Sequence, residues 1–168
     1  MIDRPQLRKG FKIILIALLV LITSFHLFKN ELQLKEANAI KVLHVIDGDT
    51  AIFNIDGIEE KVRFIAINCP EDTTKKEAFG QEATARTKEL LETATLIEIE
   101  DEDEVIYDEY GRRVAWVWVD HKLIQETLIE EGLAKVAYIF DNYKYVNELK
   151  VKEHIAKIYH KGIWSNAN

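Results

Sequence analysis

Apolar and polar residues are distributed very differently in the first 39 residues and in the remainder of the chain. Residues 13–28 are apolar except at three positions, and a basic stretch precedes them. A basic flank followed by an apolar run is typical of a signal peptide or a membrane anchor. From residue 40 onward, apolar residues recur with the short periods of strands and helices. We therefore expect residues 1–39 to be a leader with a short linker and residues 40–168 to form the folded domain.

Two fates of the leader remain open. The apolar run is shorter than the span of about 20 residues that a relaxed bilayer needs, and Ala37-Asn38-Ala39 offers a small-x-small cleavage site. Alternatively, residues 13–28 stay in the chain as a membrane anchor; a buried core helix is a third interpretation. Because the basic flank precedes the apolar run, the positive-inside rule places the folded domain outside the cytoplasm.

The periodicity of the folded part predicts five strands and about three helices. Strands are expected at 41–46, 50–55, 58–67, 95–100 and 113–119, a loop at 68–80, and helices at 81–92, 123–131 and 145–160. Five strands with a helix between the third and the fourth follow the order of an OB-fold. The expected class is therefore α+β, a five-stranded OB-fold β-barrel preceded by a hydrophobic segment.

Four polar stretches within this domain carry the residue types that attack on a phosphodiester requires. They are Ile46-Asp47-Gly48-Asp49-Thr50, Arg63, Asn68-Cys69-Pro70-Glu71 and Asp108-Glu109-Tyr110-Gly111-Arg112. Together they supply oxygen ligands for a hard cation, one carboxylate for acid–base chemistry and two guanidinium groups. Such groups neutralise phosphoryl oxygens and activate a water beside them.

These stretches, in this order and spacing, resemble the staphylococcal nuclease (thermonuclease) family over residues 40–165. Two further segments share the resemblance, Gly132-Leu133-Ala134-Lys135-Val136-Ala137-Tyr138 and Gly162-Ile163-Trp164-Ser165. The resemblance implies calcium-dependent hydrolysis of DNA and RNA that leaves 3′-phosphates and has little sequence preference. We expect an exported monomer, either released or held at the outer face of the membrane.

The resemblance also implies a calcium site. Asp49 would be a Ca²⁺ ligand, and Asn68 stands where the family usually carries an aspartate ligand. The backbone carbonyl of Cys69 would add another oxygen. Asp47 and Thr50 would lie behind these ligands, although Asp47 could equally stabilise the turn through an Asx hydrogen bond. Since Asn68 removes one negative charge, we expect Ca²⁺ to bind weakly, in the class of about 10⁻⁴–10⁻³ M.

The catalytic groups implied by the resemblance are one carboxylate and two arginines. Glu71 would activate the attacking water, and Arg63 and Arg112 would stabilise the negative charge that develops on the phosphoryl oxygens. Salt bridges to the domain's many carboxylates are the alternative role for both arginines. Arg113 is expected at the surface.

Three aromatic residues match family positions that contact a bound nucleotide. Tyr110 would lie near the phosphate end, Tyr138 near the base, and Phe140 would keep a stacking face where the family often has a tyrosine. Packing in the core or at its rim is the alternative for all three. Glu109 departs from the lysine that the family often places there.

The charge balance opposes the usual picture of a nucleic-acid binder. The whole chain has 22 Lys and Arg, 29 Asp and Glu and a net charge of −7; six of these basic and three of these acidic residues lie in the leader, so residues 40–168 carry a net charge of −10. Non-specific nucleic-acid binders are normally basic. Either a few arginines in a cleft make the phosphate contacts, or the domain is a catalytically weakened OB-fold module that binds nucleic acid or another extracellular ligand. The acidic run 98–104 is expected to be a solvated hairpin tip.

Overall fold

The computed structural model describes residues 4–37 and 39–165. The chain divides into two compact units, Met1–Asn38 and Ala39–Asn168. The first contains one helix, α1 (Arg4–Ala37), in which the stretch Ile14–Glu31 is exposed and is long and apolar enough to cross a membrane. A signal peptide and a membrane anchor both have these features. The candidate cleavage site includes Asn38, which lies outside the described residues.

The second unit combines a curled sheet with three α-helices among its described residues. The strands are β1 (Lys41–Asp47), β2 (Thr50–Ile55), β3 (Ile58–Phe64), β4 (Ile67–Asn68), β5 (Ile97–Glu100), β6 (Ile106–Tyr107), β7 (Arg113–Val119), β8 (Lys122–Leu123) and β9 (Lys135–Val136). The helices are α2 (Gly80–Thr93), α3 (Ile124–Glu130) and α4 (Val146–Ile158), followed by a 3₁₀ turn at Gly162–Trp164.

The sheet has the strand order of an OB-fold. Its long strands run in the order β1-β2-β3-β7-β5, and every neighbouring pair is antiparallel except β3 and β7. In that parallel pair, Val62 lies opposite Arg113 and Phe64 lies opposite Ala115. Helix α2 falls between the third and fourth long strands in the sequence, which confirms the predicted fold class.

The predicted third strand, 58–67, is wrong at its end. Strand β3 stops at Phe64, and Ala66 has a φ of 63°, in the left-handed region that breaks a strand. The chain then turns into β4, which pairs with β9 outside the main sheet. All four residues from Phe64 to Ile67 are apolar and buried, so the sequence in this stretch contains no turn residue that would predict the corner. The corner directs Asn68 away from the main sheet.

The core lies between the concave face of the sheet and the helices. Phe53, Phe64 and Trp116 come from the strands, and Leu128 and Leu149 come from α3 and α4; all five are fully buried. Burying each of these side chains contributes roughly 1.5–3 kcal/mol. Helix α2 packs against β1, and α3 packs against α4 and β7. This packing holds β1, which precedes the Gly48 turn, and β7, which follows Arg112.

The acidic run 98–104 is only partly solvated, contrary to expectation. Glu102 Oε1 accepts the indole N–H of Trp116 at 2.6 Å, and Glu100 Oε2 accepts that of Trp118 at 2.9 Å. Tyr145 donates its hydroxyl to Glu100, and the Tyr145 ring meets both tryptophan rings edge-on. These carboxylates therefore satisfy indole donors that core packing has taken away from water.

Arg113 is likewise not the surface residue that we expected. Its guanidinium lies 2.6 Å from Asp101 Oδ2 and 2.9 Å from Glu60 Oε2, and its side chain is 14% exposed. Two carboxylates, one from β3 and one from the segment that follows β5, thus share one arginine. This network joins β3, β7 and the hairpin after β5. It pairs two carboxylates that the sequence alone would place in solvent.

Candidate functional site

A cleft of about 540 Å³ lies where the β1–β2 turn, the corner after β3, the loop after β4, the β6–β7 turn and the segment after β9 meet. The candidate residues that line it are Asp47, Asp49, Arg63, Asn68, Cys69, Glu71, Tyr110, Arg112, Tyr138 and Phe140. Thr50 does not line the cleft; it is buried behind Asp49 and donates its hydroxyl to Asp49 Oδ1 at 3.2 Å. Residues separated by up to about 90 positions in sequence therefore share one cavity.

The β1–β2 turn reaches this cleft because Gly48 has no side chain. A Cβ at Gly48 would lie 2.7 Å from the Cβ of Cys69 and 2.8 Å from that of Ala83. Thr87 on α2 donates its hydroxyl to the Gly48 carbonyl at 2.6 Å, which holds the turn against the helix. Asp47 Oδ1 accepts the N–H of Asp49 at 3.0 Å, which is the Asx hydrogen bond that the sequence left open.

Asp49 is the most buried carboxylate of the site. It is 5% exposed, and its Oδ2 accepts the Cys69 N–H at 2.7 Å and lies 3.1 Å from Arg63 Nη2. Burial raises the pKa of Asp49 to about 7, and the nearby Arg63 guanidinium only partly offsets this effect. Burial also raises the pKa of the Cys69 thiol, so the sulfur stays protonated and is a poor nucleophile.

Arg63 is held at the corner after β3 by backbone acceptors. Its Nη1 donates to the Phe64 carbonyl at 2.7 Å and its Nη2 donates to the Ile67 carbonyl at 2.9 Å. The Asn68 amide oxygen lies at 3.5 Å from Nη2. The positive φ of Ala66 brings these acceptors around the guanidinium. Together with the contact to Asp49, they hold a 9% exposed charge at the cleft.

Arg112 is oriented by Asp108, for which we predicted no role from the sequence. Asp108 Oδ2 accepts Arg112 Nε–H at 2.7 Å, and Oδ1 accepts the backbone N–H groups of Tyr110 and Arg112 at 3.0 and 2.9 Å. Burial acts to raise the pKa of Asp108, but these hydrogen bonds bring it below its usual value. Within residues 4–37 and 39–165, no hydrogen bond engages Arg112 Nη1 or Nη2, so this edge of the guanidinium is available to an anion.

The three candidate aromatic residues lie at the rim of the cleft. Tyr110, Tyr138 and Phe140 are 75%, 57% and 83% exposed, which excludes core packing for all three. The Tyr110 ring lies 5.3 Å from the Arg112 guanidinium carbon, and the Tyr138 ring lies 5.6 Å from that of Arg63. Tyr138 also has a φ of 56°, a conformation that costs about 1 kcal/mol or more for a bulky residue.

The donor set of the cleft suits a hard cation. Its oxygen donors are the Asp49 carboxylate, the Asn68 amide and the Cys69 carbonyl, and Ca²⁺ prefers oxygen ligands of these kinds. Asp49 is 5% exposed and lies 3.1 Å from Arg63 Nη2, so its carboxylate is already placed beside a positive charge in the cleft. In the described part of the chain, no three His, Cys, Asp or Glu side chains are grouped to hold a metal. The site is therefore poor in negative charge compared with an all-carboxylate site.

Comparison with known proteins places this cleft within one family. The sequence profile described as "Staphylococcal nuclease homologue" matches residues 61–166. The chain is 33% identical over 169 residues to a protein named thermonuclease from Staphylococcus hyicus, an alignment that covers 96% of this chain and 99% of that protein.

Two relatives from Bacillus subtilis (strain 168) are considerably longer than this chain. The chain is 39% identical over 106 residues to the SPbeta prophage-derived endonuclease YokF. This alignment covers 60% of this chain and 34% of that protein. The chain is 41% identical over 95 residues to endonuclease YncB. This alignment covers 53% of this chain and 43% of that protein. The chain thus spans less than half the length of these two relatives.

Proposed function

Because the chain belongs to the staphylococcal nuclease family, we propose that it is a nuclease that hydrolyses the phosphodiester bonds of DNA and RNA with the help of Ca²⁺ and leaves 3′-phosphates. The observation that carries this proposal is the cleft itself. It brings a carboxylate, Glu71, and two guanidinium groups, Arg63 and Arg112, to the same cavity as the oxygen donors around Asp49. An activated water, charge stabilisation and a cation site are the requirements of phosphoryl transfer.

In this mechanism, the residues of the chain move one proton and stabilise charge. Glu71 removes a proton from a water as its oxygen attacks phosphorus, and the bond to the 5′ oxygen breaks. The 5′ oxygen takes up a proton, and the phosphoryl group stays on the 3′ side. Arg112 can use its free edge to bind two phosphoryl oxygens, and Arg63 can add a second positive charge in the same cleft. Bound Ca²⁺ would act as a Lewis acid at the phosphoryl oxygens.

Asp49, Asn68 and the Cys69 carbonyl would hold the cation. The hydrogen bond from the Cys69 N–H to Asp49 brings the carboxylate next to the 68–69 segment. Asp47 would support the site through the turn, and Thr50 would orient Asp49 from behind.

Substrate contacts would be few and concentrated at the cleft. The exposed rings of Tyr110, Tyr138 and Phe140 can stack on unpaired bases, since stacking of this kind contributes about 1–3 kcal/mol per base. Much of the acidic surface is paired internally, as in the network around Arg113. An acidic domain with two arginines in a cleft can therefore accept a single strand without a broad basic face.

We further propose that the domain works outside the cytoplasm. The exposed apolar stretch Ile14–Glu31 of α1 supports either a cleaved signal or an anchor through residues 13–28. An anchor would keep the nuclease at the outer face of the membrane, and cleavage would release it.

The proposal is tested by digestion of labelled single-stranded DNA and RNA with the full chain in a mild detergent. We expect cleavage that rises along a calcium series, stops on chelation and yields 3′-phosphate ends. Intact substrate at about 10 mM Ca²⁺, well above the affinity range of extracellular modules, would contradict it. The alternative, an OB-fold module that binds without cleaving, would then be favoured by Asn68, Glu109 and the net charge of the domain.

Replacement of Asn68 by Asp should lower the calcium concentration that gives half-maximal activity. The carboxylate would restore a negative charge beside Asp49, and Ca²⁺ affinity rises with the number of charged ligands. We expect a shift of about tenfold, measured as the midpoint of a calcium titration at constant substrate. Asn147→Asp, at an exposed position of α4 that does not line the cleft, adds the same charge and should leave the midpoint unchanged. An unchanged midpoint in Asn68→Asp would remove Asn68 from the metal site.

A further inference from the structure

The loop between β4 and α2 holds the main chain of Glu71 from two sides. The Glu71 N–H donates to Glu77 Oε2 at 3.2 Å, and the Glu77 N–H donates back to the Glu71 carbonyl at 2.8 Å. Gly80, the first residue of α2, packs beneath this pair, since a Cβ there would lie 2.5 Å from the Glu71 carbonyl oxygen. The backbone that carries Glu71 is therefore fixed against the helix, although the loop itself is exposed.

A separate pair of hydrogen bonds holds the carboxylate. Thr73 donates its backbone N–H at 3.2 Å and its hydroxyl to the same oxygen, Glu71 Oε1. Hydrogen bonds to an ionised carboxylate are stronger than those between neutral groups. Both donors use Oε1, and no hydrogen bond engages Oε2 within residues 4–37 and 39–165, so the second oxygen of Glu71 is available to a water in the cleft. Thr73 is not among the residues that line the cleft, so it reaches the reaction only through Glu71.

We propose that Thr73 is a positioning residue for Glu71: its hydroxyl fixes the rotamer of the carboxylate so that Oε2 faces the attacking water. This role rests on the proposed function. Without the hydroxyl, the carboxylate would sample other rotamers on an exposed loop, and fewer encounters would have the geometry for proton transfer. Substrate binding, which involves the arginines and the aromatic rim, would be unaffected.

The experiment compares Thr73→Val, Thr73→Ser and Thr74→Val in the full chain in mild detergent, at saturating Ca²⁺. Val removes the hydroxyl and keeps the shape of the side chain. Ser keeps the hydroxyl and loses only the methyl group. Thr74 is the matched control, because it is the next residue of the same exposed loop and no hydrogen bond of its hydroxyl is seen in the described residues. We expect Thr73→Val to lower kcat about tenfold with KM unchanged, a loss equivalent to one good hydrogen bond. Thr73→Ser should stay within threefold of the wild type, and Thr74→Val should equal it.

The Glu71→Gln background separates positioning from a general effect on the loop. If Thr73 acts through the carboxylate, Thr73→Val should cause no further loss of kcat in Glu71→Gln. The same tenfold loss in that background, a rise in KM, or failure of Ser to restore kcat would overturn the role. Wild-type cleavage that Thr73→Val leaves unchanged would overturn this role alone, whereas a wild type that does not cleave would remove the proposed function and this role with it.

Discussion

Glu71→Gln should lower the rate of nucleic-acid cleavage by a factor of about 10²–10⁴, the usual contribution of a general base. Gln has nearly the same shape as Glu but cannot accept the proton of the attacking water. Glu71 is one of the cleft carboxylates that are not paired with an arginine in the described residues, whereas Asp49 contacts Arg63 and Asp108 contacts Arg112. The measurement is kcat on a labelled oligonucleotide at saturating Ca²⁺.

Asp72→Asn provides the matched control for this loss. Asp72 neighbours Glu71 in the same loop but does not line the cleft, so the loss of its charge should leave kcat within about twofold of the wild type. Binding of the oligonucleotide by Glu71→Gln should remain, because the arginines and the aromatic rim are intact. A Glu71→Gln protein that cleaves at the wild-type rate would assign water activation to another group.

Gly132→Ala should destabilise the domain by about 3 kcal/mol or more, enough to lower its Tm by about 10 °C. Gly132 follows α3 with a φ of 74°, and a Cβ there would lie 2.4 Å from the Lys161 carbonyl oxygen. Ile163 donates its N–H to the Gly132 carbonyl at 2.9 Å, so the chain after α4 is bound directly to this glycine. Alanine would add both backbone strain and an overlap with main-chain atoms that cannot move independently.

Gly57→Ala measures the backbone strain without the overlap with main-chain atoms. Gly57 has a φ of 86°, and no heavy atom of the described part of the chain lies within 4 Å of the position that its Cβ would take. It should therefore lose only about 1 kcal/mol, or a few degrees in Tm. Thermal unfolding of the two variants, followed by circular dichroism, gives the comparison. Equal losses in Gly132→Ala and Gly57→Ala would mean that the contact with the C-terminal segment contributes nothing to stability.

The sequence predicted the long elements of the fold because each carries its own periodicity. It did not predict the corner after β3, since four successive buried residues show neither a strand nor a turn pattern. It also missed β6, β8 and β9, which are two residues long and are defined only by their partners. The gathering of the polar motifs in one cleft follows from their resemblance to a known family, whereas the role of Asp108 is visible only in its hydrogen bonds with Tyr110 and Arg112.

The acidic run 98–104 shows why the charge pattern of the sequence predicted the structure less well than the apolar periodicity did. From the sequence, a row of carboxylates is most simply a solvated surface. In the structure, Glu100 and Glu102 accept indole N–H groups from strand β7, and Asp101 binds Arg113. Donor and acceptor are separated by 12 to 18 positions in these pairs, so no local pattern relates them.

The parallel pairing of β3 with β7 makes the functional site depend on a late step of folding. Arg63 lies opposite Val114, about 50 residues further along the chain, and Ile65 donates its N–H to the Ala115 carbonyl. Closing so long a loop costs entropy before any contact compensates for it, and folding of such topologies is slow. A nascent chain that ends before β7 would already contain Asp49, Arg63 and Glu71, yet it would lack the strand against which they are arranged. Nuclease activity should accordingly emerge late and abruptly as the chain folds.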